Sequence, residues 1–349
     1  MFQRPQHLMR RMARQQPVYF FEEPILEAGP PRLELNTVEP GLTVATPYLP
    51  PGLAEAEAEA IAAQRRLLDG LCEAMELRRP LLWYYSPMSA RFSDHLEAER
   101  IVYDCMDELS AFRGAPPGLV EEERRLMRRA DVVFTGGQSL FEAKRRHHAN
   151  VWPFPSSVDV AHFRAAREPL PEPADQAALP RPRIGHYAVL DERLDTALLA
   201  AIAEARPDWQ LVLVGPVVKI APEDLPRRPN IHYLGMKSYA ELPAYLSGWD
   251  ATFMPFARND STRFISPTKT PEYLAAGRPV VSTPVADVVR TYGQLDMVRI
   301  AEDAAGFVAA LEDLLGQGDR RAAAIAQSDR LLAAMSWDAT WAQMRELLA

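Results

Sequence analysis

The sequence has little cysteine, which excludes a fold stapled by disulfides. Cys72 and Cys105 are the two cysteines in 349 residues, and their spacing suits no metal site, so each reads as a buried thiol in a reducing compartment. Long apolar runs are also missing: stretches such as LVLVG after Gln210 are far too short to cross a bilayer. The opening MFQRPQHLMRRMARQQ is basic but lacks the apolar segment and small-residue cleavage site of a secretory signal, so a cytoplasmic protein is expected. A formal charge of -8 excludes a general nucleic-acid binder, although arginine clusters can still meet phosphates locally.

Several motifs are absent as well. The seven histidines show no H-E-x-x-H spacing, and no G-x-S-x-G elbow occurs, so metalloprotease and serine-hydrolase chemistry drop out. FTGGQS, with Gly136 and Gly137, has neither the G-x-G-x-x-G nor the Walker pattern, which removes a dinucleotide site and ATP hydrolysis. It remains a tight turn between a strand and a helix, open to packing or to an acceptor phosphate.

What is present is an ordinary globular composition, 48% apolar and 25% charged, in a chain long enough for two cores. In the first half, β-rich runs (VYFF, LTVATPY, LLWYYS, RIVYDC, DVVFTGG) alternate with helical stretches such as AEAEAEAIAAQRRLLDGLCEAMEL. Such alternation predicts parallel sheets covered by helices. Six prolines between Pro155 and Arg183 mark a linker, after which the rhythm resumes with RIGHY, WQLVLVG, IHYLG, DATFMPF, PVVST and MVRI. The expected fold class is therefore α/β, with two Rossmann-like domains facing across a cleft at the carboxyl ends of their sheets. The expected bounds are residues 1–165, a linker at 166–182, a second domain at 183–337, and a closing helix at 338–349 that packs back on the first.

The chemistry concentrates in SPTKTPEYLAAGRPVVST, residues 266–283. Pro271 falls in the first turn of a helix ending near Gly277, which sets Glu272 beside the positive end of the helix dipole at the sheet's carboxyl edge. A carboxylate there can accept hydrogen bonds from two vicinal ribose hydroxyls. Ser266, Thr268 and Thr270 add hydroxyls, and Lys269 adds a cation for a diphosphate. The bland reading is an acid that merely complements the helix dipole. LVGPVVK brings Gly215 and Lys219 to the same edge, where a backbone can approach a base or phosphate.

These segments, with LSGWDATFMPF before them, resemble the donor-binding region of GT-B glycosyltransferases of the large retaining family 4. FQRPQHLMRRMA, YDCMDELSAF, DVVFTGGQSLFEAKR, PFPSSVDVAHF and LGMKSYAELPAYL resemble a bacterial subgroup that makes cell-surface polysaccharides of the teichuronic-acid type. The resemblance implies metal-independent transfer from a nucleoside diphosphate sugar, of UDP or GDP type, to a hydroxyl of a glycan or glycolipid, with no further cofactor. It also implies that Glu272 binds the ribose and that Arg193, in LDERLD, reaches the diphosphate. The family often carries a sugar-binding glutamate eight positions before the ribose glutamate. This chain has Phe264 there, which leaves Asn259, Asp260, Thr262 or Arg263 to replace it.

In the first domain, YDCMDE presents Asp104 and Asp107 at a strand end as candidates to orient or deprotonate the acceptor hydroxyl, with helix capping by Asp107 as the alternative. An Asp-x-x-Asp pair can also suggest a metal, but no further ligands cluster near it. RPQHLMRRMA reads as a helix with no strand before it, although the resembling family has one. Arg4 and His7 would face the cleft on the acceptor side. Arg10, Arg11 and Arg14 would form a basic face, solvated or turned to anionic lipid at the inner membrane. A sugar-nucleotide epimerase and a non-catalytic sugar-nucleotide binder are the competing readings.

Overall fold

The computed structural model describes residues 3–348. The first half runs α1 (Arg4–Ala13), β1 (Val18–Phe21), β2 (Ile25–Leu26), β3 (Arg32–Glu39), β4 (Leu42–Leu49) and α2 (Glu57–Ala74). It continues with β5 (Leu81–Tyr84), α3 (Ala90–Ser93), β6 (Arg100–Cys105), α4 (Leu119–Arg129), β7 (Val132–Thr135), α5 (Gln138–Lys144) and β8 (Val151–Pro153). Short helices α6 (Val160–Arg164) and α7 (Ala174–Ala177) interrupt the proline-rich stretch. The second half holds β9 (Arg183–Tyr187), α8 (Thr196–Ala205), β10 (Gln210–Val214), β11 (Ile231–Tyr233), α9 (Leu242–Ser247) and β12 (Ala251–Met254). It closes with α10 (Lys269–Ala275), β13 (Val280–Ser282), α11 (Ala286–Tyr292), β14 (Val298–Ile300), α12 (Ala304–Leu315), α13 (Arg320–Leu332) and α14 (Trp337–Glu346).

The second half is one all-parallel sheet in the order β11-β10-β9-β12-β13-β14. Every residue of β9, β10, β12 and β13 is buried, because helices cover both faces of a parallel sheet. Two apolar clusters, one around Trp249 and Tyr273 and one around Trp209 and Phe307, fill the two sides. Gly185 in β9 is required by this packing, since a Cβ there would strike the Trp249 indole.

The first half holds two sheets. β5-β6-β7-β8 is parallel. In the other, β1 and β2 run along one edge of β4 and β3 lies antiparallel along the opposite edge. Among the described residues the first element is a helix, α1. Its proline stands in the first turn and Leu8, Met9 and Met12 are buried. Arg11 and Arg14 pair with Asp338, and Arg10 with Glu39, so the expected basic face meets acids of the protein itself. The closing helix α14 lies in the core of this half: Trp337, Trp341 and Met344 pack with Leu8, Val102, Phe134 and Phe154.

Candidate functional site

The carboxyl ends of the two halves line an open cleft of about 1100 Å³, counting the solvent at its mouth. Thr268 precedes α10 and Glu272 sits in its first turn. Glu272 is 8% exposed, and its Oε2 accepts from the Tyr187 hydroxyl at 2.6 Å and the Lys269 ammonium at 3.1 Å. No described residue donates to Oε1. The ammonium of Lys269 also donates to Thr268 Oγ1 at 3.0 Å and lies 4.7 Å from the Tyr187 ring centroid. Charge-assisted bonds of this kind fix a carboxylate and a cation side by side, one suited to hydroxyls and the other to phosphate. Both residues also border a narrower recess of about 410 Å³, lined by Val214, Gly215, Pro216, Met236 and Tyr239.

Arg193, in the loop after β9 of the same half, also lines the cleft. Its Nε and Nη2 donate to Asp191 at 2.7 to 3.1 Å, and its guanidinium lies over the Phe112 ring at 5.2 Å, which leaves Nη1 for a ligand. Asp191, fixed by the fold at 3% exposure, thus sets the direction of the arginine fork.

The facing wall carries Gln3, Arg4, His7, Met106, Asp107, Gly136 and Ser156, with Trp337 from α14. Asp107 is half-buried. Loss of solvent raises its pKa against the pull of Arg193 and Arg4, a direction suited to taking up a proton. His7 stacks on Trp337 at 4.5 Å, and burial, reinforced by Arg11 and Arg10, lowers its pKa to about 3, so its imidazole is neutral near pH 7.

The cleft thus gathers Glu272, Lys269, Arg193, Ser266, Thr268, Asp107, Arg4, His7 and Gly136, while Gly215 lines the recess. Other expected residues lie elsewhere. Asp104 is fully buried and both its oxygens accept from Arg4 at 2.8 to 3.1 Å, so it is the counter-ion of a buried arginine and cannot meet an acceptor hydroxyl. Thr270 is fully buried, its hydroxyl on the Met254 sulfur, because its place on α10 turns it into the sheet. Gly137 is closed off by Asp287 and Ser266 of the second half. Lys219 lies over the Phe112 ring beside Glu192, at an inter-half contact outside the cleft lining. Asn259 and Thr262 bond within their own turn and to Ala257 and Glu192 carbonyls, and none of Asn259, Asp260, Thr262 or Arg263 lines the cleft. Phe264 packs against the first-half cluster around Tyr103 and Leu126, so the position serves inter-half packing.

Sequence reasoning missed Tyr187, His186, Trp337 and Asp287. The first two close β9 at the sheet's carboxyl edge, and a hydroxyl-bearing aromatic there was a usable signal. Trp337 and Asp287 reach their sites through contacts distant in sequence, which no local pattern encodes.

Two α/β halves meeting at the carboxyl ends of parallel strands give the chain the GT-B fold, and its sequence likenesses make it a glycosyltransferase. Residues 193–346 match the family of glycosyl transferase-like domains, the stretch that carries Arg193, Lys269 and Glu272. A Bacillus subtilis (strain 168) relative described as a teichuronic acid biosynthesis glycosyltransferase, TuaH, is 26% identical over 269 residues, covering 72% of this chain and 68% of that one. Among solved structures, sucrose-phosphate synthase from Thermosynechococcus elongatus aligns with a TM-score of 0.73 at 16% identity, over 98% of this chain and 91% of that one. HepE of Anabaena, solved with UDP and glucose, aligns with a TM-score of 0.61 at 14% identity, over 83% and 80%. These structural likenesses speak to the fold.

Proposed function

We propose that the protein transfers a sugar from a nucleoside diphosphate sugar, of UDP or GDP type, to a hydroxyl of a cell-surface glycan or glycolipid, with retention at the anomeric carbon. The observation that carries this is the Glu272–Lys269 pair at the start of α10, which shares one cleft with Arg193 of its own half and Asp107 of the other. Glu272 receives the two ribose hydroxyls on its open oxygen, with the base in the recess beside Gly215. Lys269 and Arg193 hold the diphosphate. As the bond from the anomeric carbon to the phosphate oxygen breaks, its electron pair goes to the diphosphate, and these two cations stabilise the charge that develops. The acceptor oxygen forms the new bond and its proton passes to the Asp107 carboxylate. In this reading the cations of the chain, rather than a metal ion, neutralise the leaving group. The solved HepE complex with UDP and the description of the B. subtilis relative support the donor and acceptor classes. A glycolipid acceptor would bring the protein to the inner face of the membrane. Among the described residues no helix is long and apolar enough to cross one.

Incubation with UDP- and GDP-sugars, with and without lipid-linked and soluble glycan acceptors, tests the reading by release of free nucleoside diphosphate. Acceptor-dependent release that persists in EDTA is expected. Binding without turnover on every acceptor, or loss of turnover on chelation, would overturn it.

A further inference from the structure

Helix α5 touches both halves of the enzyme at its two ends. At its start, the amides of Gln138 and Ser139 donate to the Asp287 carboxylate of α11 at 2.8 and 3.0 Å, and Asp287 is 3% exposed. Arg290, one turn further along α11, pairs with Glu142 of α5 at 3.1 Å. At its end, Lys144 is 5% exposed and its ammonium lies 2.7 Å from both Glu108 and Glu123. Glu123, on α4, also accepts from the Tyr103 hydroxyl at 2.8 Å. Glu108 follows Asp107 directly and accepts from Ser110 at 2.7 Å. Below the same loop, the Gly136 amide donates to the Cys105 carbonyl at 2.9 Å, and a Cβ on Gly136 would strike the Met106 carbonyl.

A lysine buried between two carboxylates is strongly held, because any one partner left alone would be an uncompensated charge away from water. The segment 106–110 is therefore tied to the far end of the helix whose near end the second half grips. A seven-residue helix is too short to bend appreciably between these points.

We propose that α5 transmits the docking of the two halves to the acceptor side of the cleft, with Lys144 as a positioning residue that holds Asp107 in place through Glu108. The inference rests on the reading of Asp107 as the group that receives the acceptor proton. When Asp287 caps α5, Lys144 carries the Glu108 segment to the register in which Asp107 faces Arg193. When the halves part, that register is lost. Misplacing a catalytic group by about 1 Å can cost on the order of 100-fold in rate.

The test compares Lys144→Met, Glu108→Ala, Asp287→Asn and Asp107→Asn in the full chain, measuring kcat with acceptor, donor KM, binding of nucleoside diphosphate, and cooperative melting. Lys144→Met is expected to lower kcat roughly tenfold or more, with nucleotide affinity within about twofold of the parent. Lys144→Arg should recover part of that loss. The Asp287→Asn/Lys144→Met double variant should be no slower than the worse single one, since both act through one helix. If Lys144→Met fails to melt cooperatively, Glu108→Ala decides, because it removes the tether, which the glutamine oxygen would in part retain, and keeps the Lys144–Glu123 pair. Unchanged kcat in the folded variant, or additive losses in the double one, would overturn the inference. Full kcat in Asp107→Asn would instead remove the reading of Asp107 itself. A slow Asp107→Asn beside a normal Glu108→Ala and Lys144→Met would sink the tether alone.

Discussion

Replacing Glu272 with alanine should erase the enzyme's ability to tell a ribonucleotide from one lacking its vicinal hydroxyls. Two hydroxyls donating to a carboxylate are worth about 1.5 to 3 kcal/mol each, so the lower bound for the pair is about 3 kcal/mol, or roughly 100-fold in affinity. A bare comparison of variant with parent would mix this with a second effect. Glu272 also engages Lys269 at 3.1 Å, and its removal frees that ammonium for phosphate. It further strips the buried Tyr187 hydroxyl of its acceptor, a stability cost of about 1 to 3 kcal/mol. Both effects cancel when each protein is titrated calorimetrically with the nucleoside diphosphate and with its 2′,3′-dideoxy analogue. The parent should prefer the ribonucleotide by roughly 100-fold and the variant by less than about threefold. A variant that still prefers the ribonucleotide by more than about tenfold would refute the placement of the ribose on Glu272.

The two aspartates of the first half should separate cleanly. Asp104→Asn leaves the buried Arg4 uncompensated and should cost about 3 to 5 kcal/mol of stability in urea unfolding. Asp107→Asn should keep the fold and lower kcat by roughly 100-fold or more in the transfer assay. For His7, held neutral by burial to a pKa of about 3 against the ordinary 6.5 of a histidine, the unfolded chain takes up the proton first as pH falls. Its contribution to stability is complete above about pH 6.5 and is lost progressively towards pH 3. His7→Gln should therefore flatten the dependence of unfolding free energy on pH between 6 and 4 by about 1.4 kcal/mol per pH unit, and an unchanged slope would count against the burial argument. Phe264→Glu should not restore a sugar contact. It would place a charge in the inter-half packing and lower the melting temperature, with no gain in donor affinity by calorimetry.

Most of the β/α alternation was legible because buried parallel strands read as continuous apolar runs, as in QLVLV and DVVFT. The strand RLELNTVE was not, since most of its residues are exposed and no burial pattern is imposed on its sequence. At the site, the Glu272 segment was legible because helix start, proline and cation are all local. Thr270 misled because its hydroxyl sits one helical step from the cleft-facing residues and points the other way. Asp104 and Asp107 look alike in sequence. Only the arrival of Arg4, a hundred residues distant, separates a structural counter-ion from a carboxylate open to the cleft. Phe264 is the same kind of case: its partners around Tyr103 belong to the other half, and no pattern near it names them.

The place of α14 bears on how the molecule is made. Trp337 both fills the core of the first half and borders the cleft, and Trp341 and Met344 complete that core. During synthesis the second half emerges whole and can close its own sheet, while the half translated first waits for residues near 344. Its exposed apolar surface, around Leu8, Val102 and Phe134, is then the segment most open to chaperones and to misassembly until the last helix arrives.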